Sequence, residues 1–317
     1  MRSTVTRIGF IDLYPMRRLN NFCQLLFLNF YLFTQSVMTN YQDYAYHQVV
    51  FKSSHNSYDR QEKPLGRQLD FHPQSSNYYN CGCRGLELDI WRHSQSDPNS
   101  ADWFTVNHLT NGGPQLKYYL DQLINWHTAN PGHDVIWVSL DVKSWSGDKS
   151  TFPDELDRYL TNFLGRDLIL SPKDMFSELT DTNFLSDLVK ATGWPKLSAM
   201  TRKFIFCLSG DEDWKKYYAE HQPSVRLCLA DCESVSTLLS PNKRAVYNVK
   251  AGDEKHSDLS NLKAANILAR VYDADGDDDW DDAQTQGATI IATDKVSDHS
   301  WAAVSSQAPY SAFELRQ

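Results

Sequence analysis

Eight short apolar runs, separated by stretches of helical period, set the narrowest limit on what this chain can fold into. The runs cover residues 48–53, 85–91, 103–107, 134–141, 203–209, 245–249, 268–272 and 288–293, all of strand length and bounded by polar residues. Between them, 115–129 sets Leu116, Tyr119, Leu120 and Leu123 on one face behind Pro114, and further helices are expected over 153–164, 182–190, 211–220, 257–268 and 279–287. Alternation of strand and helix builds a parallel sheet. Eight strands close that sheet into a single (β/α)8 TIM-like barrel, with some distortion allowed. A doubly wound open sheet is the alternative, weakened because no Gly-rich phosphate loop follows the first run.

The second run carries chemistry inside it. In Gly85-Leu86-Glu87-Leu88-Asp89-Ile90-Trp91 two carboxylates stand two residues apart. Side chains of a strand alternate between faces, so Glu87 and Asp89 point one way and Leu86, Leu88 and Ile90 the other. Two anions sharing one space need a cation, a shared proton or open water. For such a pair alone, the plain reading is the solvated face of an edge strand. Its company argues otherwise. Lys52-Ser53-Ser54-His55-Asn56-Ser57-Tyr58 ends the first run, Asn107-His108 ends the third, and Leu140-Asp141-Val142-Lys143 ends the fourth. In a barrel these are the strand ends that form an active site.

Composition limits the partners. Residues 1–40 hold four Arg and one Asp, with Arg17-Arg18 ahead of the apolar stretch Phe22–Phe33 and small residues after it. This is the pattern of a secretory leader with Met16 as an alternative start, which predicts a secreted or periplasmic protein and one barrel domain over 41–317. An uncleaved anchor or a buried helix is the other reading, and the stretch is short for a full span. Without the leader, 27 basic face 39 acidic residues, a balance that argues against nucleic-acid binding. The spacing of Cys228 and Cys232 allows a disulfide in an exported chain, and no zinc spacing occurs. The acidic run Asp273–Asp282 lacks the order of a calcium loop and reads as the start of a helix.

Ser54-His55-Asn56-Ser57-Tyr58, Gly85-Leu86-Glu87-Leu88-Asp89, Asn107-His108 and Leu140-Asp141 together resemble the catalytic domain of phosphatidylinositol-specific phospholipases C, in particular the calcium-dependent, secreted-type branch. The likeness runs from about residue 48 to 294. It implies a TIM-like barrel, a Ca2+ ion held by Asn56, Glu87, Asp89 and Asp141, and a phosphoinositide lipid substrate met at a membrane surface. The fourth ligand is more often Glu in eukaryotic members, so Asp141 is a departure. An all-oxygen donor set with three carboxylates is also what a hard divalent cation requires.

By the same resemblance His55 contacts the phosphate and His108 protonates the departing diacylglycerol oxygen. The inositol 2-hydroxyl attacks phosphorus to give a cyclic phosphodiester, with Glu87 or Asp141 as base and His55 as an alternative. Leu268-Ala269-Arg270-Val271-Tyr272 resembles the segment whose Arg and Tyr grip phosphate and ring, and Lys143 is a further phosphate contact. The closely spaced lysines that hold ring phosphates in eukaryotic members are missing from 204–210. That implies phosphatidylinositol itself, or its glycosylated anchor form, over the bisphosphate lipid. Trp91, Trp103 and Trp145 are candidates for membrane contact at the rim. Two other readings stand beside this one: a glycerophosphodiester phosphodiesterase-like hydrolase, which usually shows His-Arg where this chain has His55-Asn56, and an inactive barrel that binds lipid or glycan.

Overall fold

The computed structural model describes residues 40–70, 82–93, 97–143, 147–297, 299–305 and 311–317. The expected leader therefore lies outside the described residues, apart from Asn40, as do Cys81 and Trp145. Ten strands follow in chain order: β1 Val49–Ser54, β2 Gly85–Arg92, β3 Phe104–Val106, β4 Ile136–Val142, β5 Phe204–Gly210, β6 Cys228–Cys232, β7 Val246–Lys250, β8 Leu268–Tyr272, β9 Ile290–Thr293 and β10 Glu314–Leu315. Eight of them, β1, β2 and β4 to β9, pair in parallel around a closed barrel, and the last join is made by β1 on β2 at Ser53 and Gly85. A Cβ on Gly85 would come within 3.1 Å of the Ser53 Cα and overlap the Ser53 side chain, so closure at this point requires glycine.

The expected (β/α)8 barrel is present, with two corrections to its strands. Residues 103–107 do not enter the barrel: β3 pairs antiparallel with the outer part of β2, Ile90 opposite Val106. The missing eighth strand is β6, which lies between β5 and β7. Its Cys228 and Cys232 are buried free thiols, not a disulfide. Four residues along one extended strand separate them by about 13 Å, far beyond what a disulfide spans. The sequence Cys-Leu-Ala-Asp-Cys has little β-branched character, and Asp231 inside it is buried against the Lys215 ammonium at 2.7 Å.

Parallel strands covered on both faces bury nearly every residue, and β1, β6 and β9 are buried throughout. The helices lay apolar stripes against them. Leu116–Ala129 buries Leu116, Tyr119, Leu120, Leu123 and Trp126, and Phe152–Phe163, with Pro153 in its first turn, buries Phe152, Leu156, Tyr159 and Leu160. Trp103 belongs to this packing, not to a membrane rim. It is 4% exposed, donates to Glu155 and lies under the Arg92 guanidinium, which itself forks onto Glu155 at 2.7 and 2.9 Å. At the opposite end of the barrel β10 pairs antiparallel with β1, and Arg316 donates to carbonyls of His47, Ile267 and Gly287 just before three strands begin. No helix among the described residues is long and apolar enough to cross a membrane.

Candidate active site at the barrel mouth

Register decides which carboxylates meet. On β2 and β4 Asp89 stands opposite Asp141 and Glu87 opposite Ser139, and β5 continues the upper row with Ser209 opposite Asp141. Paired residues of neighbouring strands share a face, so Asp89 and Asp141 point together into the mouth. Glu87, Asp89 and Asp141 each offer an oxygen within 4.8 Å of the others. Glu87 and Asp89 are 3% and 1% exposed, so solvent does not dissipate their mutual repulsion. Burial, reinforced by the charge of Asp89 and opposed by Lys143, pushes the Asp141 carboxyl up to about 6.

Around this cluster the structure gathers all the site residues expected from the sequence. His55 follows the end of β1, and its Nε2 is 3.7 Å from Glu87 Oε2. Asn56 takes left-handed backbone angles (φ 46°, ψ 51°), a conformation that Asn tolerates better than most residues. Its amide N–H reaches Glu87 Oε2 at 3.3 Å, and its side-chain oxygen accepts from the Tyr58 hydroxyl at 2.9 Å. His108 arrives on the antiparallel flank: Asn107 N–H donates to the Asp89 carbonyl at 3.0 Å, and the His108 Nδ1 lies 2.9 Å from Asp89 Oδ2. From the far side of the barrel, Arg270 on β8 donates to Glu87 Oε2 at 2.8 Å and to Asn248 Oδ1 at 2.9 Å. The Arg270 guanidinium lies 5.3 Å from the Tyr272 ring, which stands 6.1 Å from the His55 ring.

Two expected phosphate contacts thus face carboxylates instead. Arg270 meets Glu87, and Lys143 bridges Asp141 at 3.3 Å and Asp89 at 3.4 Å. Residues that the sequence did not single out complete the site. Asp294 and Asp273, one residue beyond β9 and β8, both approach His55 Nδ1, at 3.0 and 3.1 Å. Arg60 holds the second oxygen of Asp294 at 2.7 Å, and Lys250 holds that of Asp273 at 3.2 Å. Burial alone lowers the His55 pKa. The Asp294 hydrogen bond and Glu87, with Asp273 and against Arg270, leave it above the ordinary value. Ser57 Oγ accepts the Glu87 N–H at 2.8 Å, and Asp275 accepts from Thr293 Oγ1 and Asp294 N–H. Position one past a strand end was the signal available for Asp273 and Asp294.

The donor set fits a hard divalent cation. Three carboxylates and the Asn56 amide oxygen are hard ligands of the kind calcium takes at about 2.3–2.6 Å, and oxygens flanking one such ion stand up to about 5 Å apart. Asp141 Oδ1 is buried with no hydrogen-bond partner, unusual for a carboxylate oxygen. It lies in a cradle that a side chain at Gly210 (φ +80°) would fill.

The family model for calcium-dependent phosphoinositide phospholipase C matches residues 106–308. A search of curated proteins found no match. Among solved structures, the chain is similar to a calcium-dependent phosphoinositol-specific phospholipase C from a Gram-negative Pseudomonas species. The TM-score is 0.68 at 19% identity, over 87% of this chain and 97% of that one. It is also similar to a Ca2+-dependent phosphatidylinositol-specific phospholipase C from Streptomyces antibioticus, with TM-score 0.61 and 17% identity over 79% of this chain and 94% of that one. At such identities the structural likeness is one of fold, and the family rests on the model match across most of the chain. Barrel, acidic cluster and that match lead to one conclusion: the chain belongs to the calcium-dependent phosphoinositide phospholipase C family of phosphodiesterases.

Proposed function

We propose that this protein cleaves phosphatidylinositol, or its glycosylated anchor form, to diacylglycerol and an inositol phosphate through a cyclic phosphodiester. The observation that carries the reading is the convergence of His55, on Glu87, and His108, on Asp89, at the Glu87–Asp89–Asp141 cluster. A calcium ion held by Asn56, Glu87, Asp89 and Asp141 would acidify the ring hydroxyl and offset charge on the phosphate.

The residues divide the proton work. Carboxylates on His55 Nδ1 favour the tautomer whose Nε2 lone pair faces the cluster, which suits His55 to take the 2-hydroxyl proton. That favours His55 over Glu87, which is already bonded to Arg270. Attack forms the new P–O bond and breaks the bond to the diacylglycerol oxygen. His108, with Nδ1 on Asp89 and its side chain 55% exposed, supplies the proton that this oxygen needs. Water then opens the ring with the two histidines exchanging roles. Tyr272, 6.1 Å from the His55 ring, would offer its face to the apolar side of the inositol ring, while Arg270, bonded to Glu87 and Asn248, orients that carboxylate.

The rim supports an unphosphorylated ring. No lysine lies within β5, and Lys203 is at its far end, bonded to the Asp167 carbonyl. For membrane contact the apolar residue beside the chemistry is Leu109, 79% exposed directly after His108. Secretion, read from the leader, belongs to the same proposal.

The test is diacylglycerol release from phosphatidylinositol vesicles, with calcium and with chelator, beside glycerophosphodiester substrates. Calcium-dependent diacylglycerol release is expected. Hydrolysis of glycerophosphodiesters without diacylglycerol would transfer the protein to the glycerophosphodiesterase reading, and no turnover of either would favour a binding module.

A further inference from the structure

Lys143 continues β4 by one residue, and its backbone N–H still donates to the Ile90 carbonyl at 2.9 Å, so its flexible stem springs from a rigid strand end. The ammonium does not point to open solvent. It sits 3.3 Å from Asp141 Oδ2 and 3.4 Å from Asp89 Oδ2, with the side chain 25% exposed. The third carboxylate has a cation of its own: Arg270, fixed between Glu87 and Asn248. Asp89 also meets His108, which is charged only when protonated. Among the described residues, Lys143 is thus the permanent cation on both Asp89 and Asp141. With Lys143 gone, the buried Asp89 and the partly buried Asp141 would face each other with no fixed positive charge between them.

We propose that Lys143 is the resident counter-cation of the carboxylate cluster, that it competes with the divalent cation for Asp89 and Asp141, and that metal binding frees it to meet the substrate phosphate. This rests on the calcium reading given above and adds its control. Calcium affinity is held below what three carboxylates alone would give, and the ammonium is withheld from phosphate until the ion is in place. A lysine suits the part. Its point charge rides on four methylenes and can swing by several ångströms, whereas a planar guanidinium is built to stay on a carboxylate.

The test compares the full-length wild type with Lys143→Met by calorimetric titration of calcium into chelator-stripped protein, and by thermal unfolding in EGTA. The Met variant should bind calcium roughly tenfold more tightly or better, since a unit positive charge a few ångströms from the ion is gone. In EGTA it should melt below the wild type, and added calcium should close that gap. Lys143→Gln, polar and uncharged, should behave the same way, which guards against a packing fault of the Met variant. Lys143→Arg keeps the charge and should not tighten calcium. Calcium bound by the wild type but no more tightly by either neutral variant overturns the competition, with the calcium reading left standing. Equal melting in EGTA overturns the counter-cation role. No calcium uptake by any of the chains refutes the calcium reading itself and the competition with it.

Discussion

Replacing His108 by Ala separates proton donation from every other role in the site. The side chain is more than half exposed, and it meets Asp89, which keeps Lys143 after the ring is gone. The fold should therefore lose little, within the roughly 0.5 kcal/mol typical of surface changes. Catalysis should lose far more. A positioned general acid contributes about 10²- to 10⁴-fold, or about 3–5 kcal/mol of barrier at 1.36 kcal/mol per decade. That loss should depend on the leaving group. Diacylglycerol departs as an alkoxide and needs the proton, whereas a nitrophenolate does not. In steady-state assays of His108→Ala, turnover of phosphatidylinositol should fall by roughly a thousandfold and that of an inositol nitrophenyl phosphodiester by less than about tenfold. The melting temperature should stay close to that of the wild type. Equal losses on both substrates would refute the assignment, and so would retained activity on the lipid.

Three further outcomes follow from the geometry. Asp273 and Asp294 both reach His55 Nδ1, so each single Asn substitution should reduce kcat modestly while the double variant falls by more than the product of the two; simple multiplicativity would contradict a shared role. Leu109→Asp should depress hydrolysis of phosphatidylinositol vesicles severalfold and spare a soluble short-chain substrate, and equal effects would remove Leu109 from membrane contact. His47 is held at about 4 by burial and then by Arg316, and its Nδ1 accepts the Trp194 N–H at 3.2 Å. The unfolded chain therefore takes this proton first, and stability should drop as pH falls from 6.5 towards 4. His47→Gln should flatten the slope of melting temperature over that window; an unchanged slope would show that His47 does not set it.

Much of the mouth was legible because strand periodicity and register are local rules. Glu87 and Asp89 share a face by alternation, and one parallel register sets Asp141 beside them. His108 was found even though its strand runs antiparallel on the flank, since the ladder with β2 delivers it to Asp89 all the same. What stayed hidden depends on partners distant in the chain. β6 escaped because its buried Asp231 makes sense only beside Lys215 of a separate helix. Asp273 and Asp275 were absorbed into an acidic run read as a helix start, and that helix begins only at Asp277. Trp103 looked available to a membrane until Arg92 and Glu155 closed over it. Lys143 and Arg270 were recognised as important cations, but which anion each faces is set by the barrel as a whole.

The central claim is that an oxygen-bound divalent ion and two histidines drive a ring hydroxyl onto phosphorus. Phosphorus resonance of phosphatidylinositol turnover tests it most directly, recorded early in the reaction with calcium and again with chelator. The account predicts a transient cyclic inositol phosphate signal with calcium and no product with chelator. A linear monoester formed from the outset with no cyclic species, or turnover indifferent to the chelator, would contradict it.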